Sequence, residues 1–149
     1  MNLKNMKTEP KKFHFVEVHP KPCSSSEAEK HLRAFAEFFI DKNYTDRWIH
    51  ITIEKPEKAK HEMRKSERHL NPMYCKMMAD VDAFPASLAE IYRSKQGVYF
   101  DGTEPGQYMT APEAASLAEE RNADAMFSMA AGKLAIFFFH EGWAWKCER

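Results

Sequence analysis

The strongest structural signal is the segment Gly132-Lys-Leu-Ala-Ile-Phe-Phe-Phe-His-Glu-Gly-Trp-Ala-Trp-Lys-Cys-Glu-Arg149. Two runs of β-branched and aromatic residues flank a polar turn, which predicts an aromatic β-hairpin. Side chains alternate along a strand, so one face carries Trp143, Trp145 and Cys147, and the other carries Ala144 and Lys146. The tryptophans either complete the core or present a binding surface, and the pattern leaves both open.

The rest of the chain alternates helical and strand patterns. Its order predicts one α+β domain with a mostly antiparallel sheet, helices packed on one face, and a C-terminal hairpin or meander. The predicted strands are 13–18, 48–53, 97–100, 125–131, 134–139 and 143–147. The predicted helices are 24–41, 57–70, 73–79 and 85–95. A further helix is predicted after the capping box Thr110-Ala-Pro-Glu113.

Length and composition favour an ordinary globular domain. The 149 residues are 44% hydrophobic and 30% charged, and residues 13–149 are long enough for a single core. Residues 1–12 form a basic segment that we expect to be flexible. No apolar run approaches the roughly 20 residues of a membrane span, and three widely spaced cysteines suit a reducing compartment, so we expect a cytoplasmic protein.

His50-Ile-Thr52-Ile is the sharpest local motif. On a strand it resembles one half of the duplicated His-x-Thr/Ser signature of the 2H phosphoesterase family. That resemblance implies His50 as a catalytic acid or base and Thr52 as a phosphate-contacting hydroxyl. No second copy of the motif is present, because none of the other six histidines has Ser or Thr two residues later. The alternative is that both side chains simply line one face of a strand.

A basic helix is predicted at 55–69, overlapping the helical pattern of 57–70. Its cations are candidates for weak contacts with nucleic acid: Lys58, Lys60, Arg64, Lys65 and Arg68. Glu57, Glu62 and Glu67 alternate with them, which is typical of a solvated face with ion pairs along the helix. The formal net charge of zero also argues against a general nucleic-acid binder.

Cofactor and metal motifs are not found in the sequence. The five glycines form no phosphate-binding loop, and the cysteines and histidines lack the spacing of metal ligands. We therefore predict neither a cofactor nor a metal site.

Aromatic content without a catalytic motif favours a protein-binding module. The predicted contact residues are His140, Glu141, Trp143 and Trp145. Residues 100–149 carry eight acidic and four basic side chains, which suits a basic partner. An inhibitor or immunity protein that neutralises a bacterial toxin is one such module. The sequence leaves the partner's identity and the oligomeric state open.

Overall fold

A seven-stranded antiparallel sheet forms the centre of the fold in the computed structural model, which describes residues 16–78 and 91–149. Its strands are β1 (Lys21–Pro22), β2 (Cys75–Met77), β3 (Gln96–Phe100), β4 (Gln107–Thr110), β5 (Ala125–Ala130), β6 (Leu134–Phe138) and β7 (Ala144–Glu148). The strand order across the sheet is β1-β4-β3-β5-β6-β7-β2. The α+β class of a single domain is thereby confirmed, and the predicted flexible segment 1–12 lies outside the described residues.

The predicted C-terminal meander is present. β5 pairs with β6 and β6 pairs with β7, with Phe137 opposite Trp145 and Phe138 opposite Ala144. The predicted strand 97–100 corresponds to β3, which pairs with β5. β3 and β6 are rich in β-branched and aromatic residues, which fit a pleated sheet buried on both faces.

Four helices accompany the sheet in the described part of the chain. They are α1 (Ser25–Phe39), α2 (Thr45–Glu54), α3 (Pro56–Lys65) and α4 (Ala111–Arg121), with short 3₁₀ segments at Lys42–Tyr44 and Ser66–His69. The Ser24 hydroxyl caps α1 by accepting the Glu27 backbone N–H, and Thr110 and Glu113 form the predicted capping box of α4. The predicted helices 24–41 and 57–70 are thus confirmed in position.

Helices cover both faces of the sheet, so the expected packing on one face holds only in part. One core contains the apolar sides of α1–α3 with Val98, Phe100, Met126 and Phe137. The other core contains the alanine-rich side of α4 with Tyr99, Phe127, Ile136 and Phe138. Successive residues of β3, β5 and β6 belong to opposite cores, as strand alternation requires.

The predicted strand 48–53 is wrong, because these residues form most of α2. Trp48 and Thr52 are buried, and Ile49 and Ile53 pack against the same core. Positions i, i+1, i+4 and i+5 share one side of a helix, so the segment buries a helical stripe. Tertiary packing overrides the preference of Ile and Thr for strands.

Three other predictions differ from the structure or fall outside it. Residues 16–18 of the predicted strand 13–18 are not in a strand; the Val16 N–H donates to Ser116 Oγ on α4 instead. The predicted helix 73–79 contains the short strand β2, which forms because β7 supplies its hydrogen-bonding partner. Strand β4 is absent from the predictions. Most of the predicted helix 85–95 lies outside the described residues.

Among the described residues, none of the helices is both long enough and apolar enough to cross a membrane.

Candidate functional site

The turn between β6 and β7 brings the predicted contact residues together at one end of the sheet. The Gly142 N–H donates to the Phe139 carbonyl at 3.0 Å, and the Phe139 N–H donates to the Trp143 carbonyl at 2.8 Å. Glu141 lies at the tip and is exposed, and His140 beside it is half-buried. The predicted turn is therefore accessible to a partner.

His140 is held in place by Asp124, the residue before β5. The Asp124 carboxylate is almost fully buried, and its Oδ1 accepts the His140 backbone N–H at 3.1 Å and lies 2.9 Å from His140 Nδ1. A carboxylate on Nδ1 fixes the ring orientation and leaves Nε2 on the outer side, 3.8 Å from Glu141 Oε2. This pair has the geometry of an oriented base or of a rigid hydrogen-bonding group.

Trp143 and Trp145 meet at one carboxylate oxygen. Both indole Nε1–H groups donate to Glu67 Oε2, at 2.8 Å and 2.9 Å. Both tryptophans are half-buried, and Trp145 also packs against the core beneath α1–α3. The prediction that Trp143 and Trp145 lie on the same face is confirmed. Each ring is partly covered by the protein and partly exposed to solvent.

Four apolar side chains at neighbouring positions of β2, β7 and the β6–β7 turn are called the aromatic strip: Met77, Phe139, Trp143 and Trp145. Phe139 lies opposite Trp143 with ring centroids 5.1 Å apart, and Met77 lies opposite Trp145 across β2 and β7. Met77 is 49% exposed, and the three aromatic residues are half-buried. Phe139 also contacts the His140 ring, with centroids 4.2 Å apart, so the strip joins the turn.

His50 and Thr52 do not form the site implied by the phosphoesterase resemblance. They lie on α2 rather than on a strand, about 200° apart around the helix axis at roughly 100° per residue. His50 is exposed and contacts Glu54, whereas the buried Thr52 hydroxyl donates to the Trp48 carbonyl within the helix. The two side chains therefore cannot face the same substrate.

The five cations that were predicted to contact nucleic acid lie in different environments. Lys65 lies 3.8 Å from Glu62, and Arg68 belongs to the 3₁₀ segment after α3. Lys60 and Arg64 line a cavity together with residues of α4 and of the β3–β4 loop, and Lys58 is not among its lining residues. The five cations therefore do not act as one basic face.

A buried polar network lies next to this cavity. Asp101 accepts hydrogen bonds from the Tyr99 hydroxyl at 2.7 Å, from Arg121 at 2.9 Å and from the Thr103 N–H at 2.8 Å. Burial alone would raise the pKa of Asp101, but these hydrogen bonds hold it below its ordinary value. Asp101 is therefore a charged anchor for the β3–β4 loop.

A second network joins α1 to β5. His31 Nδ1 lies 2.6 Å from Ser128 Oγ, and its Nε2 lies 3.5 Å from Glu27. The Ser128 hydroxyl, the His31 imidazole and the Glu27 carboxylate follow one another in the same order as the groups of a nucleophilic catalytic triad. Ser128 is only 1% exposed, however, and none of the described cavities is lined by it. The arrangement therefore functions as an internal hydrogen bond between helix and sheet.

The important polar groups that the sequence did not indicate are Glu67, Asp101, Arg121 and Asp124. Glu67 lies 76 and 78 residues from its tryptophans, and Asp124 lies 16 residues from His140. No local pattern connects such pairs. Among the described residues, no group of three or more potential ligands could hold a metal ion.

No family model, curated protein or solved structure matches this chain.

Proposed function

We propose that this chain is a protein-binding module whose contact surface consists of the aromatic strip and the turn at residues 140–142. The proposal rests on one observation: buried or half-buried carboxylates hold partly exposed aromatic rings in fixed orientations by hydrogen bonds. Glu67 holds both indoles, and Asp124 holds His140. Rings that are already ordered lose little conformational entropy on binding, which is why rigid aromatic side chains carry much of the affinity at interfaces.

The surroundings of the turn favour a basic partner. Glu119 and Glu141 are exposed and line the same cavity beside the turn. We propose a partner that presents an apolar side chain to the strip and a Lys or Arg side chain to Glu141. Complementary charge of this kind accelerates association and excludes other partners. A protein that this chain inhibits, such as a bacterial toxin, is the partner class that we propose.

The proposal is tested with two substitutions at exposed positions, Met77→Lys and Glu141→Lys, combined in one variant. Neither residue has a hydrogen bond or ion pair with Glu67, which accepts from the two indoles. The control is Lys30→Glu on α1, which changes an exposed charge without touching the strip. Affinity purification from the source cells, followed by titration with the purified partner, compares the three proteins.

The wild type and the control should retain the same partner, and the double variant should bind it about tenfold or more weakly, which corresponds to about 1.4 kcal/mol. Thermal unfolding should show that all three proteins are folded. A partner that binds the double variant as tightly as the wild type would contradict the assignment of this surface. So would the absence of any specific partner.

A further inference from the structure

The cavity beside Lys60 and Arg64 has a distinctive distribution of charge. It has a volume of about 210 Å³ and lies between α3, the β3–β4 loop and the end of α4. Its charged lining comprises three cations and two carboxylates: Lys60, Arg64, Arg121, Asp101 and Asp124. The balance among these five groups determines what the cavity can bind.

Both carboxylates already have partners within the protein. Asp101 is paired with Arg121 at 2.9 Å, and Asp124 accepts two hydrogen bonds from His140. Arg121 is committed as well, since its second terminal nitrogen lies 3.5 Å from Glu104. The polar atoms of Asp101, Asp124 and Arg121 on this wall are therefore occupied by other groups of the protein.

Lys60 and Arg64, in contrast, have no side-chain hydrogen bond or ion pair with any residue in the described ranges 16–78 and 91–149. They are four residues apart on α3, so their side chains lie on the same side of the helix. The Asn122 carboxamide also lines the cavity and has no partner among these residues. Three groups capable of donating hydrogen bonds to an anion therefore border the same space.

The position of Lys60 relative to the cavity wall is fixed. Gly102 has a φ of +86°, and a Cβ at this position would lie 2.4 Å from the Lys60 backbone nitrogen. The loop containing Asp101 and Thr103 is thus in direct backbone contact with α3. The backbone that carries Lys60 is thus held against the loop, so binding does not have to order it.

We propose that this cavity binds a small molecule through a phosphate group, held by Lys60, Arg64 and Asn122. Guanidinium and ammonium groups are the usual partners of phosphate oxygens, and the planar guanidinium can bind two of them at once. The three phosphate-binding residues lie outside the aromatic strip, and their binding of phosphate does not depend on the function proposed above.

The part of the ligand other than its phosphate group would occupy a second cavity next to the phosphate site. An adjoining cavity of about 240 Å³ shares Asn122 and Ala123 with the first and is lined by Phe138, Phe139 and His140. Glu119 and Glu141 make its margin acidic, which disfavours a second anionic group. The bound molecule therefore carries one phosphate at the basic end and a neutral or cationic apolar part at the other. A polyanion such as nucleic acid does not fit this gradient of charge.

The test uses inorganic phosphate and phenyl phosphate as probes, added to the ¹⁵N-labelled full chain at constant ionic strength. Amide shifts around Lys60, Arg64, Thr103 and Asn122 should change saturably with phosphate. Arg64→Gln and Lys60→Gln should each weaken binding about tenfold or more, because each removes a charge-assisted hydrogen bond to the phosphate. Lys58→Gln removes the same charge from α3 outside the cavity and should leave the affinity within about twofold.

Phenyl phosphate should bind more tightly than inorganic phosphate and should also shift the amides of Phe139 and His140. The phosphate site is overturned if the shifts do not saturate, or if Lys58→Gln weakens binding as much as Arg64→Gln. Equal affinity for the two probes would overturn the role of the adjoining cavity. Binding of a single-stranded oligonucleotide that depends equally on Lys58, Arg64 and Arg68 would replace the proposal with a nucleic-acid surface.

Discussion

His31 is a buried titratable residue of α1 that faces β5. Its side chain is 10% exposed, and its Nδ1 lies within hydrogen-bonding distance of Ser128 Oγ. Burial lowers its pKa, and this effect outweighs the opposing influence of Glu27. The folded protein therefore favours the neutral imidazole, whereas the unfolded chain takes up a proton near the ordinary value of about 6.5.

Stability should consequently decrease as the pH falls below about 6.5, because the unfolded state then binds more protons than the folded state. The stabilising contribution is complete above this pH and is lost as the pH falls through the lower pKa of the folded state. We expect His31→Gln to lose less stability than the wild type between pH 7 and pH 5. Urea denaturation at several pH values measures the difference.

His69 also has a pKa lowered by burial, but it is present in both proteins, so the comparison isolates His31. Equal dependence on pH in the two proteins would show that His31 is not the responsible group.

At the scale of elements, two loops with left-handed glycines have different roles. Gly102 in the β3–β4 loop has a φ of +86° and is in contact with the α3 backbone. Gly142 in the β6–β7 turn has a φ of +103°, and a Cβ there would have no atom within 4 Å. The first loop attaches a helix to the sheet, whereas the second projects into solvent.

Alanine at these two positions should therefore have unequal effects. Gly142→Ala introduces only backbone strain, about 1–3 kcal/mol of unfolding free energy. Gly102→Ala adds a clash with the Lys60 backbone and should destabilise the protein by more than Gly142→Ala. Chemical denaturation of both variants measures the difference, and a similar loss in both would contradict the close contact between the β3–β4 loop and α3.

At the scale of the whole molecule, the sheet is a central layer between two cores. Phe137 and Phe138 are neighbours on β6, yet Phe137 belongs to the core beneath α1–α3 and Phe138 to the core beneath α4. Both are nearly inaccessible to solvent. Both cores consist of buried side chains, so both faces of the sheet contribute to the free energy of unfolding.

Phe137→Ala and Phe138→Ala should each destabilise the protein by about 3–5 kcal/mol, the usual cost of removing a fully buried phenyl ring. Equilibrium unfolding followed by circular dichroism provides both values. If Phe138→Ala cost less than 1 kcal/mol, α4 would not form a second core.

The sequence by itself was sufficient for features whose cause is local. Apolar residues spaced three and four apart predicted the helix 24–41, and the residues at this spacing in α1 are buried: Ala28, Leu32, Phe35 and Phe39. The motif Thr110-Ala-Pro-Glu113 predicted the start of α4, because capping requires residues only three positions apart. Alternation in residues 134–147 predicted the hairpin and the common face of Trp143 and Trp145.

Tertiary structure decided the features whose cause is distant along the chain. Residues 48–53 form a helix because Trp48 and Thr52 are buried together, although Ile and Thr favour strands. Cys75–Met77 became a strand because β7 offered an unpaired edge. Glu67 and Asp124 acquired their roles only when folding brought them to the tryptophans and to His140. Local propensities amount to fractions of a kcal/mol per residue, so long-range burial and hydrogen bonding override them.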